Sequence, residues 1–157
     1  MNKSEKQSRI KHLSRRFYEM GAVPSILLSN EMDKTGITDD VLVNAVQELE
    51  SLQVASYELT DKFSAKIVYE LRQFKRIFEY ENAQLAKKQD AEKLHYMNKN
   101  MPIPQYIRDE QWADREKLRR DQIARKARAI EPAQTALRTH QDKMYSVFMD
   151  AIKHLYR

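Results

Sequence analysis

The side chains that could perform acid–base, nucleophilic or metal chemistry are scattered along this sequence. It contains no cysteine, which excludes thiolate zinc sites, iron–sulfur ligation, cysteine nucleophiles and a disulfide framework. No serine or histidine belongs to a nucleophile motif, and a working pair of carboxylates forms in space rather than in sequence. None of the four histidines forms a close ligand pair with another: His12, His95, His140 and His154. The sequence therefore predicts a protein that is not an enzyme and holds no cofactor or metal.

Glycine is equally scarce, since only Gly21 and Gly36 are present. Phosphate-binding loops and nucleophile elbows need glycine where the backbone approaches a ligand closely, so none can be placed here. Few glycines also argue against a sheet with many tight turns. The expected fold class is all-α, with room for one short β-hairpin.

The net charge of +5 is unevenly distributed along the chain. Residues 1–20 carry six basic and two acidic side chains, whereas residues 21–60 carry one and seven. Residues 61–99 carry nine and six, residues 105–129 eight and five, and residues 130–157 four and three. An acidic block with a net charge of −6 therefore lies inside a basic protein. Basic segments most often form solvated helix faces, but they can also bind nucleic acid or an acidic partner.

The elements that must position these charges begin with three helices. An apolar stripe with spacings of 3 and 4 predicts a first helix over residues 4–20, capped by Ser4. Pro24 begins a second helix that ends at Gly36, and Thr38 is expected to cap a third helix. Weak alternation from Val54 to Leu59 predicts a short strand.

The order of these elements resembles a winged helix-turn-helix in outline. The helices over 4–20, 24–34 and 38–52 come in the right sequence, and residues 53–69 would form the wing. The resemblance implies that the third helix is the recognition helix and that the protein binds DNA. It covers less than half of the chain and rests on spacing alone.

The charge of that third helix opposes DNA binding. It has acidic residues and no lysine or arginine, whereas affinity for DNA comes largely from cations that neutralise phosphates. Direct contact with nucleic acid is therefore expected on the first helix instead, at Lys11, Arg15 and Arg16. The acidic side chains become candidates for binding a basic protein partner: Asp39, Asp40 and Glu48.

A long helix is predicted over residues 60–98. Apolar residues recur there in a heptad-like pattern that lacks one position, Glu81, and this pattern indicates packing against another helix in the same chain or in a second copy. Pro102 and Pro104 then interrupt the chain. The members of the apolar pattern are Ile67, Leu71, Phe74, Phe78 and Leu85.

The predicted division of the chain has four parts. A helical module over 1–59 precedes the long helix over 60–98, and a proline-containing break at 99–105 leads to a basic helical arm over 106–157, with a new helix start at Pro132. Exposed aromatic and arginine side chains dominate protein-binding hot spots. The arm's candidates for a protein partner are Tyr106, Arg108 and Trp112, and its candidates for nucleic acid are Arg115, Arg119, Arg120 and Lys126.

The function class that best fits these features is a non-enzymatic adaptor, expected in the cytoplasm and without membrane contact. It would bind a larger protein, such as a component of a replication or transcription machine, in the manner of a helicase loader. Two alternatives stay open: a dimeric winged-helix transcriptional regulator, and a helical structural protein such as a virion component. The second would form a homo-oligomer.

Overall fold

The computed structural model describes residues 1–157 and consists of four α-helices without any strand. Helix α1 spans Lys3–Phe17, α2 spans Pro24–Thr35, α3 spans Asp40–Asn98 and α4 spans Gln105–Leu155. The predicted all-α class is therefore confirmed. None of the four helices has a stretch that is both long and apolar enough to span a bilayer.

The ends of α1 differ from the prediction. The side chain of Asn2, rather than Ser4, caps the helix by accepting a hydrogen bond from the backbone N–H of Glu5 at 2.8 Å. The helix ends at Phe17, so Met20 lies outside it and is fully exposed. The predicted helix is therefore one turn too long at its C-terminal end. Met20 has the spacing of the apolar stripe, but the side chain is exposed.

The ends of α2 follow simple backbone chemistry. Pro24 occupies the first turn, where its missing N–H removes no hydrogen bond, and Gly36 adopts the left-handed conformation (φ 68°) that ends the helix. Asp39 rather than Thr38 caps α3, since its carboxylate accepts a 2.9 Å hydrogen bond from the N–H of Leu42. Asp39 can cap because it directly precedes the first helical residue.

The predicted strand and wing are wrong. Residues 53–69 are helical throughout, as part of the uninterrupted helix α3. No glycine or proline occurs between Gly36 and Met101, so nothing in this stretch breaks a helix. Leu49, Leu52 and Leu59 also continue a helical spacing that outweighs the weak alternation of the same stretch.

The chain folds into two compact units. Residues 1–62 and 134–157 form the first, here called the terminal unit, and residues 63–133 form the second, here called the hairpin unit. Both boundaries fall inside long helices rather than at the proline-containing segment. The last part of α4 belongs to the terminal unit because its apolar stripe completes the core of that unit.

The terminal unit is built around one apolar core. Phe17 of α1 lies against the rings of Tyr145 and Phe148 of α4, with ring centroids 5.2 and 5.5 Å apart. Ser14 and Tyr145 share a 2.6 Å hydrogen bond at the edge of this cluster. The fully buried side chains of the core are Leu13, Leu28, Leu42, Leu49, Phe148 and Ile152.

The hairpin unit consists of two antiparallel helical segments. Residues 63–98 of α3 are followed by the turn at 99–104, and α4 returns from Gln105 onward. The backbone N–H of Met101 bonds to the carbonyl of Tyr96 at 3.0 Å in this turn. The prediction that a new helix starts at Pro132 is wrong. Helix α4 continues through Pro132 and tolerates the loss of one backbone hydrogen bond there.

Candidate macromolecule-binding surfaces of the hairpin unit

The contact between the two helices of the hairpin is polar at its centre. Gln89 and Gln111 are only 4% and 2% exposed. The amide of Gln89 donates to the backbone carbonyl of Gln111 at 2.8 Å, and the amide of Gln111 donates back to the carbonyl of Gln89 at 3.2 Å. Buried amides must be satisfied in this way, since an unpaired one costs about 1–3 kcal/mol. The pair therefore holds the two helices together through hydrogen bonds.

A second polar contact lies further along the same pair of helices. Arg125 donates to both carboxylate oxygens of Glu81, at 2.6 and 2.9 Å, and its guanidinium lies 4.8 Å from the ring centroid of Phe78. Gln122 donates to the side-chain oxygen of Asn82 at 3.0 Å. The position that breaks the heptad-like pattern is thus occupied by one partner of an ion pair. Glu81 contacts α4 although it is not apolar.

Many large apolar side chains of the hairpin are exposed. Among the apolar residues of this unit only Phe78 and Ala133 are buried. Tyr80 and Trp112 are 66% and 59% exposed. The other large exposed side chains are Val68, Tyr69, Leu71, Ile77, Leu94, Met97, Met101, Tyr106 and Ile123. The hairpin unit contains only two helical segments, so it has no further helix that could pack on these side chains.

One side of the hairpin, here called the tyrosine face, combines aromatic and acidic groups. It includes a groove of about 530 Å³ whose lining contains Tyr80, Gln84 and Lys88 of α3 with Asp114 and Asp121 of α4. Helical spacing places further residues on the same side of the two helices. They are Ile77 of α3 and Tyr106 and Glu110 of α4, while Lys117 lines the groove itself.

The opposite side, here called the basic face, carries a row of cations. It includes a groove of about 390 Å³ lined by Lys93 of α3 and by Arg115 and Arg119 of α4, together with the acidic Asp90. The spacing of α4 adds three exposed residues to this side: Arg108, Trp112 and Lys126. The two faces of one hairpin therefore differ in charge.

The structure separates the binding candidates of the predicted arm into two groups. Trp112 lies on the basic face with Arg115 and Arg119, whereas Tyr106 lies on the tyrosine face. The hydroxyl of Tyr106 is 3.5 Å from that of Tyr96, and this contact raises the pKa of Tyr96. Arg120 is exposed but points away from both grooves, since neither lining includes it.

The basic candidates of the terminal unit lie on α1. Lys11 and Arg15 are exposed, and Arg16 lies 3.6 Å from Glu19. The cavity beside the start of this helix is lined by Glu5, Ser8, Arg9 and His12 and includes none of these three cations.

The acidic candidates have different surroundings. Asp40 and Glu48 are exposed. Asp39 has two bonds: besides capping α3, it accepts a 2.8 Å hydrogen bond from His154. The bond from His154 and then the bond from Leu42 lower the pKa of Asp39. Asp39 therefore has a structural role at the start of α3.

A buried carboxylate escaped the sequence analysis. Glu31 is 2% exposed and accepts hydrogen bonds from Arg9, with its Nε at 3.1 Å, and from the hydroxyl of Tyr156. Burial acts to raise the pKa of Glu31, but the bonds from Arg9 and Tyr156 and the charges of Arg9 and Lys34 hold that pKa below its ordinary value. Its position three residues after Leu28 on the buried side of α2 was the available signal.

Potential metal ligands are not clustered in the structure. Glu92 and His95 have the spacing of a ligand pair on one helix. No group of three or more histidine and carboxylate side chains lies close enough to hold an ion.

No family model, no curated protein and no solved structure matches this chain. Its function is therefore inferred from the geometry, burial and charge of the two hairpin faces.

Proposed function

We propose that the protein is a non-enzymatic adaptor that docks on a larger protein through the tyrosine face of its hairpin unit. The observation that carries the proposal is the exposure of large apolar side chains on a helix pair that buries two amide side chains in its own contact. Exposed aromatic clusters of this kind are typical of protein-binding surfaces.

The chemistry of the face supports a protein partner. Ile77 and Tyr80 supply apolar contact area, and tyrosine contributes strongly to binding because it loses little conformational entropy. Lys88, Asp114 and Asp121 line the same groove as Tyr80 and add charges of both signs. An apolar centre with a charged rim is the usual composition of a specific protein interface.

The proposal includes the setting of the adaptor. Its partner would be a cytoplasmic component of a replication or transcription machine, as for a helicase loader. The exposed acidic side chains Asp40 and Glu48 offer a second contact for a basic partner. A transcriptional regulator of the winged-helix type receives less support. Residues 53–69 form helix instead of a wing, and residues 38–52, the proposed recognition helix, contain no lysine or arginine.

Affinity capture of the full chain from its host, with and without nuclease, tests the proposal. The variant Ile77→Ser/Tyr80→Ser should lose a protein that the wild type retains after nuclease treatment. Tyr57→Ser is the matched control, because Tyr57 is similarly exposed in the terminal unit. We expect it to keep the partner.

Other outcomes of this capture count against the proposal. Retention of the partner by both variants would place the docking surface elsewhere. Loss of the partner on nuclease treatment would mean that nucleic acid bridges the two proteins. If the captured protein is a second copy of the chain, and size measurement shows that only the hairpin variant is monomeric, the tyrosine face is the contact of a homo-oligomer.

A further inference from the structure

The basic face of the hairpin unit has a geometry that the adaptor role does not use. Arg108, Arg115, Arg119 and Lys126 follow one another on α4 at separations of seven, four and seven residues. With a rise of 1.5 Å per residue, these positions are about 10, 6 and 10 Å apart along the helix. They form a single row of cations about 27 Å long on one side of α4.

Most of these cations have no carboxylate partner. Lys93, Arg108 and Lys126 form no ion pair, and Lys126 lies 5.5 Å from the ring centroid of Phe78. Arg115 donates only to the neutral side chain of Gln89, at 3.3 Å. Arg119 lies 3.2 Å from Glu116 in an exposed ion pair, which contributes little and is easily exchanged. The row is therefore available to an external anion.

The groove beside the row is suited to phosphate groups. Lys93 of α3 and Arg115 and Arg119 of α4 line it, and the only carboxylate in its lining is that of Asp90. The exposed side chain of Asn82 also lines the groove, and its amide N–H can donate a hydrogen bond to an anionic oxygen.

An exposed aromatic ring completes the surface. Trp112 is 59% exposed and lies one helical turn before Arg115 on the same side of α4. Indole rings stack on nucleic acid bases without regard to sequence, and such platforms normally accompany a row of cations.

These features favour a single strand over a duplex. The cations form one row, and the groove lies between two helices whose axes are about 8–10 Å apart, which is too narrow to admit a double helix. In a duplex the bases are already stacked on each other and are not accessible to an indole ring.

We propose that the basic face binds single-stranded nucleic acid, with successive phosphates along the row from Arg108 to Lys126 and a base stacked on Trp112. This site is separate from the tyrosine face, so the Ile77→Ser/Tyr80→Ser variant should bind the strand as the wild type does. Failure of one proposal therefore leaves the other standing.

Fluorescence anisotropy with the full chain and a labelled oligothymidylate of about 20 nucleotides tests the site. Contacts with four phosphates predict that log K falls against log salt with a slope of about −3 between roughly 50 and 200 mM. Arg115→Gln/Arg119→Gln should reduce the slope to about −1.5. Trp112→Ala should weaken binding roughly 10- to 100-fold and leave the slope unchanged.

The control variant is Arg120→Gln/Arg128→Gln, which removes the same charge from the same helix. Both arginines are exposed, and neither lines the groove. It should bind as the wild type does, and circular dichroism should show equal helix content in all variants.

Four results would overturn the proposal. They are no binding at the lowest salt, an equal loss in the control variant, tighter binding of a duplex than of the strand, and equal competition by a polyglutamate peptide. The last of these would identify the surface as a site for acidic protein segments.

Discussion

The two units of this protein use the same long helices in opposite ways. In the terminal unit the apolar stripes of α3 and α4 are covered, and Leu42, Leu49 and Phe148 are completely buried. In the hairpin unit the most buried side chains of the same helices are Gln89 and Gln111, while aromatic residues are exposed. The terminal unit buries most of the apolar side chains of these helices within the chain, whereas the hairpin unit exposes many of its own.

This contrast has an energetic consequence. Burial of a large apolar side chain contributes about 1.5–3 kcal/mol, whereas a hydrogen bond such as those of Gln89 contributes about 1 kcal/mol net. The terminal unit should therefore be the more stable of the two, and the hairpin unit should open at lower free energy. Three measurements test this difference, from the largest expected effect to the smallest.

The first compares the same substitution in both units. Phe148→Ala should destabilise the protein by about 3–5 kcal/mol, because it leaves a cavity in a closed core. Phe78→Ala should cost less than about half of that, since Phe78 packs against Phe74, Arg125 and Lys126 near the surface. Urea unfolding followed by circular dichroism measures both. Equal losses would show that the two units are equally well packed.

The second concerns the buried carboxylate of the terminal unit. Glu31→Gln should lower the free energy of unfolding by about 2 kcal/mol, because Arg9 then keeps its charge without a charged partner. Since folding lowers the pKa of Glu31, its contribution is present above the ordinary value of 4.5 and is lost as the pH falls below it.

Thermal unfolding of wild type and Glu31→Gln between about pH 3 and 7 measures this contribution. The difference in stability between wild type and Glu31→Gln should become smaller as the pH is lowered. The exposed Glu48→Gln serves as the control and should show little difference at any pH in this range. A gap between wild type and Glu31→Gln that stays constant with pH would contradict the assigned role.

The third concerns the amide pair of the hairpin. Gln111→Ala should destabilise the hairpin unit by about 1 kcal/mol, because it removes the side-chain amide that donates to the backbone carbonyl of Gln89. Hydrogen exchange should accelerate in residues 63–133 and remain unchanged in the terminal unit. Faster exchange throughout the chain would mean that the two units unfold together.

Local spacing predicted the parts of this fold that depend on nearby residues. The structure agrees with the predicted stripe of α1 as far as Phe17, with the limits of α2 at Pro24 and Gly36, and with the end of the long helix at Asn98. The spacing of Phe148, Ile152 and Leu155 in the last part of α4 likewise matches their burial.

Contacts between distant residues were not predictable in this way. The carboxylate of Glu31 meets Tyr156 across 125 positions of sequence, and no local pattern encodes that contact. Gln89 and Gln111 are polar and therefore read as surface residues. The charges of the arm were visible, but only the return of α4 along α3 shows which of them share a groove.

The reciprocal bonds of Gln89 and Gln111 also fix the alignment of the two hairpin helices. Leucine-rich contacts tolerate sliding by one turn, because one leucine can replace another. Here a slip of three or four residues would break both amide bonds at once and would also separate Arg125 from Glu81. The polar contact thus fixes the register of the two helices, which keeps Arg115 beside Gln89 and preserves the groove that Lys93 also lines.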